Sequence, residues 1–303
     1  MEREFIDWLR RRVPAPQGLV VGVGDDAAVI DAFEGTLVTV DMLTDGVDFK
    51  LAEADPRRIG RKALAVNLSD IAAMAGRPTA AFVAVALPRE GAARLARELC
   101  EGMLPLAERY GVTLAGGDTN TWDGPLVISV TLMGQATWNG PVLRSGAKPG
   151  DKILVTGHFG GSILGHHFDF DPRVREAIHL HQWYPLHAAM DVSDGLSLDL
   201  SRMTTESGCG ALVDLKSIPL APAADELAAQ LNDGSTPLDH ALSDGEDFEL
   251  LLAVPPQDAE MMLADQPLDV PITCIGEFVS DPGLWALAES GQRRPLTPRG
   301  YEH

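Results

Sequence analysis

Acidic residues recur along this chain where an apolar or small-residue stretch ends, and this pattern constrains the fold more than any other feature. In LVVGVGDDAAVI, at 19–30, Asp25 and Asp26 interrupt a strand-like run. A buried carboxylate is costly unless it is paired or binds a cation, so the fold must gather such acids at a shared polar place. The same design returns in five further segments, with the acids Asp41, Asp70, Asp118, Asp191, Asp194, Glu246 and Asp247.

Multivalent cations are the best compensation for these carboxylates. The chain has 24 Lys and Arg against 44 Asp and Glu, a net charge of −20, and few basic residues stand near the acids. Hard ions such as Mg²⁺ take oxygen ligands, often carboxylates together with substrate phosphates. The sequence has no GxxxxGK[ST] phosphate loop, so we expect any ATP to be held through metal ions. Taken singly, Asp25, Asp194 or Asp247 is equally typical of a helix N-cap or a turn.

The composition predicts a globular protein with two domains of ordinary size. The chain has 303 residues, 45% of them hydrophobic and 22% charged, and no apolar run approaches the ~20 residues of a membrane span. The acidic balance argues against nucleic-acid binding. Three distant cysteines suggest reduced thiols and a cytoplasmic location. Residues 1–13, MEREFIDWLRRRV, have the pattern of a charged amphipathic helix and lack the features of a signal peptide.

The order of the predicted elements favours an α/β fold in two parts. The second half alternates helix-like and strand-like segments, including 173–181, 196–207, 248–254 and 258–265. A turn-rich stretch at 143–157 leads into a new strand, so we place the domain boundary near 140–145. In the first half, β-branched content and turn residues predict strands at 19–30, 36–43, 80–87 and 125–135, and apolar spacing predicts helices at 57–75 and 90–110.

Eight segments follow one another along the chain from about residue 20 to its end: GVGDDAAVI, VDMLTDGVDF, RKALAVNLSDIAAMAGRP, GGDTN, LRSGAKPGDKILVTG, MDVSDGLSLDL, SDGEDFELLLAV and GYEH. Together these motifs closely resemble those of the thiamine-monophosphate kinase family. The wider superfamily of ATP-using enzymes includes aminoimidazole ribonucleotide synthetase and selenophosphate synthetase. No reactive cysteine precedes the first glycine-rich turn, which argues against the latter.

The resemblance implies a two-domain α/β (α+β) fold like that of aminoimidazole ribonucleotide synthetase. Residues 1–142 would form a sheet-and-helix domain that binds ATP and Mg²⁺ and pairs with its twin in a homodimer. Residues 143–303 would form an α/β sandwich domain. ATP would lie in the cleft near the dimer interface, and its phosphoryl group would pass to thiamine monophosphate.

The resemblance also assigns site residues. Several Mg²⁺ ions would be bound by Asp26, Thr39, the backbone of Val40, Asp41, Asp70, Asp118, Asp191 and Asp194. ATP would be contacted by Gly117, Asp118, Arg144 and Ser193. Glu246 would contact the thiamine substrate. No catalytic base is expected, because the attacking group is already an anionic phosphate oxygen and the reaction needs positioning and charge neutralisation.

Two positions on the substrate side depart from the family pattern. Asp48, in GVDF, replaces a histidine, and Pro298, in LTPRGYEH, stands where an aromatic residue is frequent. Asp48 would offset a missing stacking aromatic by attracting the thiazolium cation. An alternative is therefore a kinase or ligase of the same superfamily that acts on another phosphorylated small molecule. A non-catalytic nucleotide-binding protein is a third alternative, disfavoured by the complete set of metal aspartates.

Two further features at 157–187 carry open alternatives. Six of the eight histidines fall between His158 and His187; a transition-metal site is possible in principle, but their spacing matches no standard ligand pattern. The glycine-rich stretch GHFGGSILGHH, at 157–167, either holds a phosphate with its backbone N–H groups or is a plain turn before a helix.

Overall fold

The first half of the chain forms a six-stranded sheet with two long helices. The computed structural model describes residues 19–21, 28–30, 35–287 and 291–301. The elements are β1 (Leu19–Val21), β2 (Ala28–Ile30), β3 (Thr36–Thr44), α1 (Pro56–Ala73), β4 (Arg77–Pro88), α2 (Ala92–Tyr110), β5 (Thr113–Trp122) and β6 (Val127–Gln135). The strands lie in the order β1-β2-β3-β6-β4-β5, so β6 is central and β5 is an edge.

Three predictions about these strands are wrong in detail. The predicted strand at 19–30 is two antiparallel strands, β1 and β2. Asp41 does not end a strand but lies inside β3, which continues to Thr44. Asp118 does not follow a turn: its glycine-rich surroundings belong to β5, which pairs in parallel with β4. A Cβ on Gly117 would collide with the carbonyl of Val83, so this glycine permits the close pairing.

Helix α1 is the centre of the molecule, and its sequence explains both its start and its burial. The Asp55 side chain accepts the N–H of Arg57 at 2.9 Å, and Pro56 occupies the first turn, which are common helix-start signals. The helix packs on β3 and β6 on one side and on elements of the second half on the other. Leu64, Leu68 and other apolar residues of α1 therefore belong to one core shared by both halves.

The second half of the chain forms a seven-stranded sheet with its own helices. The elements are β7 (Lys152–Thr156), α3 (His166–Asp169), α4 (Val174–Trp183), β8 (Ala188–Asp191), α5 (Leu196–Ser207), β9 (Gly210–Val213), α6 (Pro222–Leu231), α7 (Pro237–Ser243), β10 (Leu250–Val254), α8 (Pro256–Asp265), β11 (Ile272–Val279), β12 (Gly283–Leu287) and β13 (Arg293–Pro295). The strands lie in the order β13-β12-β9-β11-β7-β10-β8. Among the described residues, no helix is both long and apolar enough to cross a membrane.

The segment between the two sheets is tied to both. Val142 donates its N–H to the carbonyl of Met74, just after α1, at 3.1 Å. Leu143 accepts the N–H of Ala189 in β8 at 2.9 Å. The division into domains at 142/143 stays a prediction. The predicted N-terminal helix at 1–13 lies outside the described residues.

Candidate active site

The last turn of α1 links the two halves at the candidate site. Thr39 on β3 donates its hydroxyl to the Asp70 carboxylate. Ser69, the preceding residue of α1, donates its hydroxyl to Asp191 at 2.5 Å. Asp191 ends β8 in the second sheet. Two predicted metal ligands from different halves are therefore brought to adjacent positions on one helix turn.

Asp41 faces the same side of the first sheet as this junction. In the strand register Asp41 lies opposite Val130, which is buried, so its side chain points to the inner face that α1 covers. Successive residues of a strand point to opposite faces. Val40 accordingly points outward and is 62% exposed.

Asp118 is not brought to this inner face. It lies opposite Ala84 on β4, and the row continues through Ser129 to Met42. Met42 is 64% exposed, so Asp118 belongs to the outward side of the sheet. We call the side that carries Val40, Met42 and Phe82 the outer face. Asp25 and Asp26 lie outside the described residues.

Asp194 follows β8 and is held by a charged network. Arg202 donates to the Asp194 carboxylate, and at 2.8 Å to Asp199. The second oxygen of Asp199 accepts the N–H groups of Ser193 at 3.1 Å and Asp194 at 2.9 Å. Burial, and then the charge of Asp194, raise the pKa of Asp199 to about 7. This network fixes the loop that carries the predicted ATP contact Ser193 and metal ligand Asp194.

Arg144 lies close to this network. Burial and the charge of Asp194 raise the pKa of Asp199, and the Arg144 guanidinium partly opposes that rise. The structure therefore places Arg144 and Ser193, two of the predicted ATP contacts, in one region. The other two, Gly117 and Asp118, lie on the edge strand β5.

The predicted substrate residues Asp48 and Glu246 are linked by a lysine that the sequence reasoning missed. Lys62 of α1 lies with its Nζ 2.5 Å from Glu246 Oε1 and donates to the carbonyl of Asp48 at 2.8 Å. Burial raises the pKa of Glu246, the Lys62 ammonium opposes that rise, and the charge of Asp48 adds to it. Asp48 itself accepts the N–H of Thr44 at 2.7 Å, closing the turn after β3.

The third predicted substrate residue, Pro298, is exposed in the C-terminal tail. The tail runs beside the Asp194 loop, because Tyr301 donates its N–H to the carbonyl of Asp194 at 2.9 Å. One residue before the tail's GY pair, Arg299 donates its N–H to Ser197 Oγ at 2.9 Å. The contacts of this tail place an aromatic residue, Tyr301, next to the candidate site.

The signals for Lys62, Asp199 and Arg202 in the sequence differ in strength. Asp199 and Arg202 stand three positions apart in LSLDLSRM, a spacing that pairs opposite charges on a helix. That spacing makes their ion pair predictable. Lys62 and its partner Glu246 lie 184 positions apart in the chain. No local pattern predicts such a contact.

The donor types of this region suit a hard divalent cation. Asp41, Asp70, Asp191 and Thr39 offer only oxygen atoms, which are the ligands that Mg²⁺ takes. Within the part of the chain that the structure describes, however, no group of three or more His, Cys, Asp or Glu side chains forms a candidate metal site. The residues thus fit the ion by chemistry, without converging on one point.

Three histidines of the histidine-rich segment 158–187 make separate contacts. His166 lies 3.1 Å from the carbonyl of Asp247, His181 lies 3.1 Å from that of Gly140, and each such contact is to a different element. His187 lies 2.8 Å from Asp151. These side chains fasten separate loops, which gives each a structural role.

The glycine turn at 157–167 has its central N–H groups occupied. Gly160 donates to Asp247 at 2.8 Å and Gly161 to Asp244 at 3.0 Å. Burial raises the pKa of Asp247 well above its usual value. Because these two N–H groups already donate to carboxylates of the protein, they are not available to a phosphate. The structure therefore supports the interpretation of this segment as a plain turn before a helix.

One buried histidine of this segment gives a prediction for stability. Burial lowers the pKa of His167 to about 4, whereas an unfolded histidine titrates near ~6.5. Between these pH values the imidazole is protonated in the unfolded chain but not in the folded chain. The free energy of unfolding therefore falls as the pH is lowered. The wild type should therefore lose on the order of 2 kcal/mol of its free energy of unfolding between pH 6.5 and 4. We expect His167→Asn, which keeps a donor for the carbonyl of Ser162, not to show this loss.

Denaturant unfolding of wild type and variant across that pH range measures this difference. His179→Asn is the matched control, because His179 is exposed on α4. Parallel stability curves for the wild type and His167→Asn would contradict the prediction.

Comparison with known proteins places the whole chain in a known group. A family model described as AIR synthase related protein, N-terminal domain, matches residues 24–136, and its C-terminal counterpart matches residues 148–285. A thiamine-monophosphate kinase of Rhodopirellula baltica is 44% identical and is covered over 97% of its length by 100% of this chain. One from Caulobacter vibrioides is 35% identical, with 98% of this chain and 88% of that protein covered.

A solved structure is similar over the same extent. AaThiL complexed with AMPPCP and TMP superposes with a TM-score of 0.85 at 26% identity, covering 100% of this chain and 96% of that one.

Proposed function

The chain belongs to the thiamine-monophosphate kinase family, and on that premise we propose that it transfers a phosphoryl group from ATP to thiamine monophosphate, giving thiamine diphosphate and ADP. The single observation that carries this proposal is the junction at the end of α1. There Thr39 and Ser69 hold the carboxylates of Asp70 and Asp191 side by side. Acids from both halves are thus available where two phosphate groups must meet.

The reaction asks the protein to position two anions and reduce their repulsion. The acceptor is a phosphate oxygen that is already ionised, so no side chain has to remove a proton. Mg²⁺, when bound, supplies positive charge between the phosphates and polarises the transferred group. Asp41, Asp70, Asp191 and Asp194, with Thr39 and the backbone of Val40, would hold the ions, together with Asp26 and Asp118.

Other residues of the site would bind the two substrates. Arg144 adds a fixed positive charge for the ATP phosphates, because arginine binds phosphate oxygens in a forked geometry. Ser193 and Gly117 would complete the ATP contacts. Glu246 and Asp48 would face thiamine monophosphate, and Pro298 and Tyr301 lie in the tail nearby. The acidic Asp48 suits a cationic thiazolium better than an anionic acceptor.

The acceptor is tested with purified protein, Mg-ATP and a panel of phosphorylated small molecules, with products identified by mass. We expect thiamine diphosphate to form much faster than any other product. Faster conversion of a different acceptor would favour the alternative of a related kinase or ligase.

We assign the reaction to the cytoplasm because the three cysteines are free thiols.

We also propose that the active form is a homodimer that buries the outer face. Val40, Met42 and Phe82 leave a strip of exposed large apolar side chains on one sheet face, which typically marks an interaction surface. The predicted ligand Asp118 lies on that same side. A second copy of the chain is the occupant that would bring Asp118 and Gly117 of the edge strand next to another site. Strand β6 is central in the first sheet, so a partner would cover the face of this sheet and not the edge of β6.

Met42→Asp is expected to prevent dimer formation, since it places a charge at the centre of the outer face. A carboxylate buried without a partner costs several kcal/mol, about enough to shift a micromolar dimer to monomer. Light scattering coupled to size exclusion measures the mass of the wild type and the variant. Met261→Asp is the control, because Met261 is 51% exposed on α8. A wild type with the monomer mass of 32.4 kDa would contradict the proposal.

A further inference from the structure

Lys62 is a fully buried lysine at the boundary of the two halves of the molecule. Its side chain is 0% exposed, in the middle of α1. An ammonium group in such a place loses its hydration, and lysine is almost never fully buried unless it is paired. The contacts that compensate this charge therefore indicate why it is there.

Both polar contacts of Lys62 are with predicted substrate residues. The Nζ atom lies 2.5 Å from Glu246 Oε1, in the second half of the chain. It also donates to the carbonyl of Asp48 at 2.8 Å, in the turn after β3. The aromatic ring of Phe168 lies 5.5 Å from Nζ and closes another side of the ammonium. One buried charge thus connects two loops that come from different halves.

The Glu246 carboxylate is fixed by its contacts but remains partly exposed to solvent. The side chain of Glu246 is 32% exposed, so one part of it reaches outward while Oε1 meets Lys62. Its backbone is fixed as well, because Glu246 donates its N–H to the carbonyl of Ser193 at 2.7 Å and has a left-handed φ of 54°. Main chain and side chain are therefore both constrained, and the remaining freedom of the carboxylate is small.

A purely structural role explains this arrangement poorly. Replacing a buried ion pair by apolar side chains of similar volume is frequently neutral or stabilising, so such a pair adds little to the fold by itself. Lys62 instead lies among apolar residues of α1 that pack without any charge. What the lysine supplies is a fixed position and a retained negative charge for a carboxylate that faces the site.

We propose that Lys62 is a positioning residue for the acceptor pocket: it holds the Glu246 carboxylate and the Asp48 turn where thiamine monophosphate binds. This inference rests on the proposed function. Thiamine monophosphate carries a cationic ring and an aminopyrimidine with hydrogen-bond donors. An oriented, ionised carboxylate matches both features, because charge-assisted hydrogen bonds are the stronger ones. Lys62 acts through Glu246 and touches neither ATP nor the transferred phosphate.

The test compares Lys62→Met, Glu246→Gln and the double variant. We expect Lys62→Met to raise the KM for thiamine monophosphate about tenfold or more, the loss of one charge-assisted hydrogen bond, while the KM for ATP stays within about twofold. Glu246→Gln should give a similar rise. Because both changes break the same interaction, the double variant should be no worse than Glu246→Gln alone.

Stability supplies the second readout. Lys62→Met leaves a half-buried carboxylate without its counter-ion, so its thermal midpoint should fall below that of the wild type. The double variant removes both charges and should recover much of that loss, which keeps it measurable even if Lys62→Met folds poorly. Lys50→Met is the control, because Lys50 is exposed and its ion pair with Glu53, at 3.4 Å, lies on the surface.

The outcomes separate this inference from the proposed function. If the wild type makes thiamine diphosphate and Lys62→Met keeps an unchanged KM for thiamine monophosphate, the positioning role is overturned and the function stands. Effects of Lys62→Met and Glu246→Gln that simply add in the double variant would also overturn it. A wild type that makes no thiamine diphosphate overturns the function and, with it, this role.

Discussion

Replacing Asp70 with asparagine is expected to lower kcat by a factor on the order of a thousand, equivalent to ~4 kcal/mol of transition-state stabilisation. Asp70 lies in the last turn of α1, where Thr39 donates to it and the next carboxylate, Asp191, is held by Ser69. An asparagine keeps the shape and accepts the Thr39 hydroxyl but loses the negative charge that would hold Mg²⁺. The initial rate of thiamine diphosphate formation at saturating ATP measures the effect.

The same change should make the metal-free protein more stable. Asp70 lies in the last turn of α1, at the negative end of the helix dipole, and that turn carries no basic residue. We expect the thermal midpoint without Mg²⁺ to rise by about 1–3 °C, and the stabilisation by Mg-ATP to disappear.

Asp265→Asn is the matched control for Asp70→Asn. Asp265 is an exposed acid at the end of α8, a helix that also lacks a basic residue in its last turn. It should give the same gain in midpoint with unchanged kcat. Normal turnover in Asp70→Asn would contradict the assignment of Asp70 to the metal site.

Arg173→Met is expected to lower the free energy of unfolding by about 3–5 kcal/mol, the cost of leaving a buried charge without its partner. Arg173 donates twice to Glu249, at 2.7 Å from Nε and also from the second guanidinium nitrogen. The Glu249 side chain is only 4% exposed, and Thr156 donates to it at 2.6 Å. Removing the guanidinium therefore leaves the buried Glu249 carboxylate without its counter-ion, between β7 and β10.

Urea unfolding measures the loss, with Arg57→Met as the control. Arg57 pairs with Glu101 at 2.6 Å on the surface, where both side chains are about half exposed. An exposed pair of this kind contributes at most about 1 kcal/mol. Equal losses for the two variants would show that burial of Glu249 does not set the strength of its ion pair.

Local signals made helix α1 and strand β3 predictable. Helix α1 was predicted at 57–75 and occupies Pro56–Ala73, because its cap, its proline and its apolar spacing all lie within the segment. The strand β3 was predicted in the same way, from β-branched content at 36–43. The resemblance of eight ordered motifs then identified the family.

Contacts between distant segments were not predictable from one sequence. The glycine pair of β5 suggested a turn, whereas parallel pairing with β4 makes it a strand. Which face Asp118 occupies follows from the register of four paired strands. The pairing of Lys62 with Glu246 depends on how α1 meets the second half. Such facts depend on tertiary packing, which overrides local preference.

The most direct test of the account follows the labelled phosphate. Purified protein is incubated with thiamine monophosphate and γ-labelled ATP, with Mg²⁺ or with excess EDTA, and the products are separated and counted. Direct metal-dependent transfer predicts label in the terminal phosphate of thiamine diphosphate, formation of ADP in equal amount, and no product in EDTA. Formation of AMP, or of no labelled thiamine diphosphate in the presence of Mg²⁺, would contradict direct metal-dependent phosphoryl transfer.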